Sequence, residues 1–216
     1  MNKKNFYNRV LTGSFLLLIS LFMYMYFFFS IYFLIVFGVL SILEFFNLTK
    51  KILKKKKTGL FFNIIFIIYI SFFCYFFLYF LYYIQLKYIL FILLLGCIAS
   101  DVGGFVVGRI IKGPRLTKIS PNKTFSGAIG SIFFTCVTIS SLIFFLSNNF
   151  SYFFLMISIL TSIGCQLGDL FFSYLKRKAK LKDTGKILPG HGGVLDRVDG
   201  ILLGIPTGMI ALILLN

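Results

Sequence analysis

Along this chain the charged residues fall in clusters and the apolar residues in long runs between them. Seven runs stand out, at about 10 to 28, 30 to 48, 60 to 82, 88 to 108, 127 to 146, 152 to 174 and 201 to 215. Most approach the roughly 20 residues that a helix needs to cross a hydrocarbon core of about 30 Å. The first two share one run, Val10 to Leu48, which as a single helix would reach about 58 Å, roughly twice the core thickness. A tight helical hairpin near Ser30 is the cheaper arrangement. The pattern predicts an all-α, polytopic transmembrane helix bundle of about seven spans, one integral membrane domain over 1–216. Within it, 1–100 is an N-terminal transmembrane part, and 101–216 is expected to be the catalytic part, because it carries most of the polar loops. Val10 to Leu48 is far longer than the apolar core of a signal peptide and ends in no small-residue cleavage site, so it is expected to stay in the mature protein.

Composition agrees with a bilayer as solvent. Hydrophobic residues make up 59% of the chain, and the mean hydropathy is +0.96, where a soluble domain has roughly half its residues apolar. The 22 Lys and Arg against 6 Asp and Glu give a formal charge of +16. That excess could point to nucleic acid, but the placement of the cations points elsewhere. With the N-terminus cytoplasmic, every Lys and Arg except Lys87 falls in a cytoplasmic segment, as the positive-inside rule requires. A miscount of one span would scatter them over both faces. The densest basic run, Lys50 to Lys57, is expected to anchor topology and touch anionic headgroups, at about 1 kcal/mol per residue. Cys74, Cys97, Cys136 and Cys165 lie inside apolar segments without metal-site spacing and are read as small buried hydrophobes.

The acids carry the chemical information. There are six: Glu44, Asp101, Asp169, Asp183, Asp196 and Asp199. A charge at a helix centre in the bilayer costs at least about 2.5 to 3.5 kcal/mol, so such residues are rare and usually functional. Asp101 precedes Gly103, Gly104 and Gly108, small residues that admit a close backbone or ligand; an ion pair with Arg109 is its alternative. Helical spacing puts Asp169, Ser173 and Lys176 or Arg177 on one face.

The loop that follows, KDTGKILPGHGGVLDRVDG, brings Asp183, His191, Asp196 and Asp199 together with five glycines. Glycine permits positive φ and exposes backbone N–H groups, which suits a phosphate cradle. If helix resumes near Val194, Asp196 and Asp199 share one face. With Asp169 they form an oxygen donor set for Mg²⁺, which commonly bridges carboxylates to substrate phosphates. His191, between PG and GG, is expected to contact phosphate or shape the loop rather than bind metal. The earlier loop, GRIIKGPRLTKISPNKTFSG, supplies five cations including Lys123, with Ser120, Thr124 and Ser126, and Pro121 to fix a turn. By itself it would be a solvated basic loop; beside carboxylates it becomes a polyphosphate clamp. Such a site suits chemistry on a polyanion and needs little general base, because a phosphate nucleophile is already ionised.

The stretch Ser173 to Asp199, SYLKRKAKLKDTGKILPGHGGVLDRVD, closely resembles the signature of the phosphatidate cytidylyltransferases. GDL before it, SPNKT in the earlier loop, Asp101 ahead of a GxxxGR segment, and Arg9 with Thr12 add to the likeness. The resemblance implies that phosphatidate attacks the α-phosphorus of CTP, releasing pyrophosphate and forming CDP-diacylglycerol, with Mg²⁺ required. Asp169 and Asp196 would be the leading metal ligands, supported by Asp199, with Lys176 among the catalytic groups. Ser120, Lys123, Thr124, Ser173, Arg177, Asp183, His191, Arg197 and Asp101 would bind substrate. CTP, phosphatidate and membrane lipids are the expected partners, nucleic acid is not, and a homodimer rests on analogy alone. The expected location is the inner (cytoplasmic) membrane, with the site facing the cytoplasm. The family usually has Glu where Phe172 stands and a Trp-Glu pair where Phe125 and Ser126 stand, so two expected carboxylates are missing. Other readings are a CTP-dependent enzyme acting on another lipid, a transporter with intramembrane acids, and a scaffold that binds anionic lipid by charge.

Overall fold

The computed structural model describes residues 3–53, 56–117, 119–185, 187 and 192–214, and within that set it describes no side chain of residues 3–12, 16 or 56. The described elements are α1 (Lys3–Met25), α2 (Phe27–Ile52), α3 (Lys56–Tyr82), α4 (Ile84–Ile110), α5 (Phe125–Ser147), α6 (Tyr152–Lys178) and α7 (Leu195–Leu214). No strand occurs among the described residues; one isolated antiparallel bridge joins Arg115 and Thr124. Six helices, α2 to α7, are long and apolar enough to cross a membrane, and α1 agrees with an expectation of about seven. The chain is a multi-pass membrane protein. Large apolar side chains such as Phe28, Phe72, Phe133 and Phe145 project outward, a distribution that suits lipid and would be costly in water.

The first break in the helical run is not at Ser30 but at Tyr26, which adopts an extended conformation with φ −120° and ψ 109°. Ser30 lies in the first turn of α2, where its hydroxyl donates to the carbonyl of Met23 at 2.8 Å. Inside a bilayer a carbonyl freed by a helix break has no water to turn to. The serine therefore marks the break from one turn downstream.

The chain divides into two compact units, Met1–Lys87 with Leu175–Val198, and Tyr88–Tyr174 with Asp199–Asn216. This grouping cuts across a division at residue 100, because 175–198 goes with the N-terminal helices. In the first unit α2 and α3 pack closely: Phe45 stacks on Phe66 with ring centroids 3.8 Å apart, and Thr49 donates to Asn63 Oδ1 at 2.7 Å.

In the second unit small residues make the seams. A Cβ on Gly103 of α4 would lie 2.7 Å from the carbonyl of Gly130 on α5, and one on Gly130 would lie 2.9 Å from the carbonyl of Gly103. Along α6 and α7, a Cβ on Gly164 would lie 3.0 Å from the Leu203 carbonyl, and one on Gly168 would overlap the carbonyl of Asp199. Cys97 and Cys165 are buried, while Cys74 and Cys136 are half-buried, all as free thiols.

Candidate active site

In the second unit, the polar loop after α4 is shaped by local hydrogen bonds. Lys123 N–H donates to the Ser120 carbonyl at 3.1 Å and Leu116 N–H to the Lys123 carbonyl at 2.8 Å. The first of these closes a β-turn with Pro121 at its second position, where a fixed φ favours the turn. Thr124 then caps α5, accepting from Gly127 N–H at 3.1 Å, the usual work of a hydroxyl at a helix N-terminus. Thr124 thus has a local task beside the substrate role expected of it. Lys123 stands between turn and cap, and its ammonium forms an ion pair with Asp169 Oδ2 on α6. Ser173, one turn along α6, donates to Asp169 Oδ1 at 3.3 Å, so the predicted shared face of Asp169 and Ser173 is observed. The pair is partly open, with side-chain exposures of 26% for Lys123 and 30% for Asp169.

Asp199 lies on α7, where its backbone meets α6 at Gly168, and its Oδ1 accepts from Gly200 N–H at 3.0 Å. Among the described residues, no three Asp, Glu, His or Cys side chains are grouped closely enough to hold a metal by themselves. Mg²⁺, however, usually takes one or two protein carboxylates and leaves its other positions to water and phosphate. Asp169 and Asp199, from helices that touch beside both residues, fit that demand by donor chemistry. Asp101 is exposed on α4, and the Arg109 guanidinium lies 5.8 Å from the centre of the Phe105 ring.

Where the resemblance leads one to expect acids, Phe172 is buried with its ring edge-on to Phe171 at 5.4 Å. Ser126 donates to the Lys112 carbonyl at a turn where Lys112 and Gly113 have φ of 57° and 120°. The two positions serve packing and loop closure.

In the first unit, α6 ends with Lys180 in the left-handed region at φ 56°. Leu181 N–H reaches the Lys176 carbonyl at 2.9 Å, a C-terminal cap usually built on glycine. Lys176 Nζ donates to Asp196 Oδ1 at 2.8 Å, with side-chain exposures of 13% and 4%. Asp196 Oδ2 accepts from Thr184 N–H at 2.7 Å and Gly193 N–H at 2.9 Å, and lies 3.0 Å from Thr184 Oγ1. Helix does resume, at Leu195. The exposed Asp183 lies against Gly192, whose φ is 86° and whose Cβ, if present, would be 3.1 Å from that of Asp183. Arg177 and Arg197 are exposed, and Ser120 is half-buried in its turn. His191, Lys118 and Lys186 lie outside the described residues, as do the side chains of Arg9 and Thr12.

Sequence reasoning passed over one residue. Glu44, in the middle of an apolar helix, is 3% exposed and accepts from Val194 N–H at 2.8 Å, Leu195 N–H at 2.9 Å and Thr184 Oγ1 at 2.7 Å. Its signal was present: an acid inside a membrane helix is expensive and needs a reason. The amides of Thr184, Gly193, Val194 and Leu195, which glycine content suggested for a phosphate cradle, face these two carboxylates of the protein itself.

Comparison with known proteins adds to this geometry. The family model described as "Cytidylyltransferase family" matches residues 1–215. A phosphatidate cytidylyltransferase of Mycobacterium leprae is 40% identical over 124 residues, 56% of this chain and 38% of that protein. One of Helicobacter pylori is 46% identical over 114 residues, 52% of this chain and 42% of its own length. One of Staphylococcus haemolyticus is 40% identical over 130 residues, 59% of this chain and 50% of its own. The chain thus spans half or less of the length of these curated relatives.

Proposed function

Because this chain belongs to the cytidylyltransferase family, we propose that it transfers CMP from CTP to phosphatidate, giving CDP-diacylglycerol and pyrophosphate, at the cytoplasmic face of the inner membrane. The names of the relatives supply the acceptor. The observation that carries the reading is the grouping of Lys123, Asp169 and Ser173, partly exposed, in one unit. A partly open cation–carboxylate pair beside a hydroxyl is what a phosphate and its counter-cation would separate on binding. The cytoplasmic placement rests on charge: the segments between α2 and α3, α4 and α5, and α6 and α7, taken together with the helix ends that flank them, hold 18 of the 22 Lys and Arg.

A phosphate oxygen of the lipid forms a bond to the α-phosphorus of CTP while the bond from that phosphorus to the bridging oxygen breaks, and pyrophosphate leaves with the electron pair. No proton has to be removed from the nucleophile. Asp169 and Asp199 would hold Mg²⁺, which when bound neutralises phosphate charge. Lys123, exchanging its carboxylate for a phosphate oxygen, binds the polyphosphate; the β-turn at Pro121 and the Thr124 cap orient it. Lys176, Arg177 and Arg197 belong to the other unit; the resemblance of their stretch, and not a shared geometry, assigns them to the CTP phosphates. Asp196 enters as the anchor of Lys176, and becomes a metal ligand only by giving up that lysine.

The test is CMP transfer by purified protein in detergent with phosphatidate, following labelled CTP into CDP-diacylglycerol with Mg²⁺ and with EDTA. Magnesium-dependent product is the expected result. Product with an isoprenoid alcohol or an ether lipid and none with phosphatidate would move the acceptor. No product with any acceptor from folded protein would end the reading.

A further inference from the structure

Glu44 has no place in the chemistry above, yet it is the one carboxylate of α2 and α3 and both of its oxygens are engaged. A buried anion far from water is tolerated when hydrogen bonds or a cation satisfy it. Among the described residues its hydrogen-bond partners are neutral donors: two amides and a hydroxyl. The two amides belong to Val194 and Leu195, at the start of α7, whose first N–H groups have no helical acceptor and carry partial positive charge. Glu44 thus caps α7 from a different helix, 150 residues away in sequence.

The loop is built around that carboxylate. A Cβ on Gly193 would overlap both Glu44 oxygens and the Thr184 hydroxyl, and one on Gly185 would lie 2.6 Å from Glu44 Oε1. Neither glycine has positive φ, so their small size, and not their conformational freedom, is what the packing uses. Thr184 links the two acids: its hydroxyl lies 2.7 Å from Glu44 Oε2 and 3.0 Å from Asp196 Oδ2. A hydroxyl has one proton, and the shorter contact assigns it to Glu44. That leaves the Thr184 and Gly193 amides to hold Asp196 Oδ2, with Oδ1 presented to Lys176.

We propose that Glu44 is a positioning residue: through Thr184 and the first amides of α7 it fixes the loop so that Asp196 holds Lys176 in place for the phosphate chemistry. The inference rests on the reading of Lys176 as part of the CTP site. Glu44→Gln keeps the shape but puts an NH₂ where an amide donor now finds an oxygen. Thr184→Val keeps the branching and removes the hydroxyl. In full-length protein in detergent, each variant should speed tryptic cleavage in the loop, at Lys180 or Lys182, by about tenfold or more. Each should also lower kcat by roughly 10 to 100-fold, the effect of losing a supporting partner, with less change in KM for CTP. The double variant should lose no more than the worse single, because the two side chains act as one unit. Glu44→Asp, one methylene short, should recover part of the loss.

Cleavage at the wild-type rate in both variants overturns the proposal, whatever the activity. Faster cleavage with wild-type kcat overturns it too, leaving Glu44 as a loop anchor only, and so do losses that add in the double variant. Should Glu44→Gln fail to fold, Thr184→Val decides by the same readouts. A wild-type protein without CMP transfer would remove the functional reading, and the cleavage rates would still show whether the latch exists.

Discussion

Asp196 and Asp169 are the same residue type, each facing one lysine, yet they live in opposite conditions. Asp196 is 4% exposed at its side chain and receives a lysine and two amides, with the Thr184 hydroxyl oxygen packed against it at 3.0 Å, so few of a carboxylate's acceptor positions stay open. Asp169 is 30% exposed and has Lys123 on one oxygen and the Ser173 hydroxyl on the other. A saturated acid organises its surroundings; an acid with open positions can exchange partners. The comparison separates framework from site between two motif acids, a distinction that motif matching does not make.

The sharpest way to break it is Asp196→Ala. Lys176 would be left with its charge uncompensated, which for a buried pair costs about 3 to 5 kcal/mol, and the thermal midpoint in detergent should drop together with activity. Asp169→Asn should do the reverse, lowering CMP transfer by at least about 10²-fold through lost charge stabilisation while the midpoint stays near wild type. If the two variants gave the same pattern, the division between framework and site would be wrong. Next is Lys123→Met, which removes a charge-assisted contact worth about 1.5 to 3 kcal/mol. Because the pair is partly exposed, the effect should be read at the low end, as a rise in KM for CTP of about tenfold with little loss of stability. Smallest is Thr124→Ala: loss of a helix cap costs about 1 kcal/mol, visible as a lower midpoint. A fall in kcat well beyond that from Thr124→Ala would restore a direct substrate contact for this residue.

Much of the fold was legible because the bilayer imposes a length and a charge asymmetry that one-dimensional patterns record. The helices α2 to α7 lie where the apolar runs predicted them, with ends extended by a few residues. Thus α6 continues through Lys176 and Arg177 to Lys178, and α7 starts at Leu195, six residues before its apolar run. Both extensions are polar helix, which hydropathy does not register. The break, expected near Ser30, falls at Tyr26, and Ser30 is the residue whose hydroxyl meets the Met23 carbonyl beside it.

The candidate site was legible in its ingredients and not in its pairings. SPNKT announced a turn and a lysine, and helical spacing put Asp169 with Ser173. No local pattern could join Lys123 to Asp169, 46 residues on, or show that Thr124 caps α5. Glu44 looked like a stray acid among 59% apolar residues, because its three partners lie at 184, 194 and 195. Sequence by itself determined the helical, membrane-spanning class, the clustering of cations in alternate loops and the list of groups able to meet a polyphosphate. Those properties depend on periodicity, length and charge order, all of them local along the chain. Which acid is saturated and which stays open was decided only in three dimensions, because a carboxylate's role depends on how many donors reach it, and those donors come from distant parts of the chain.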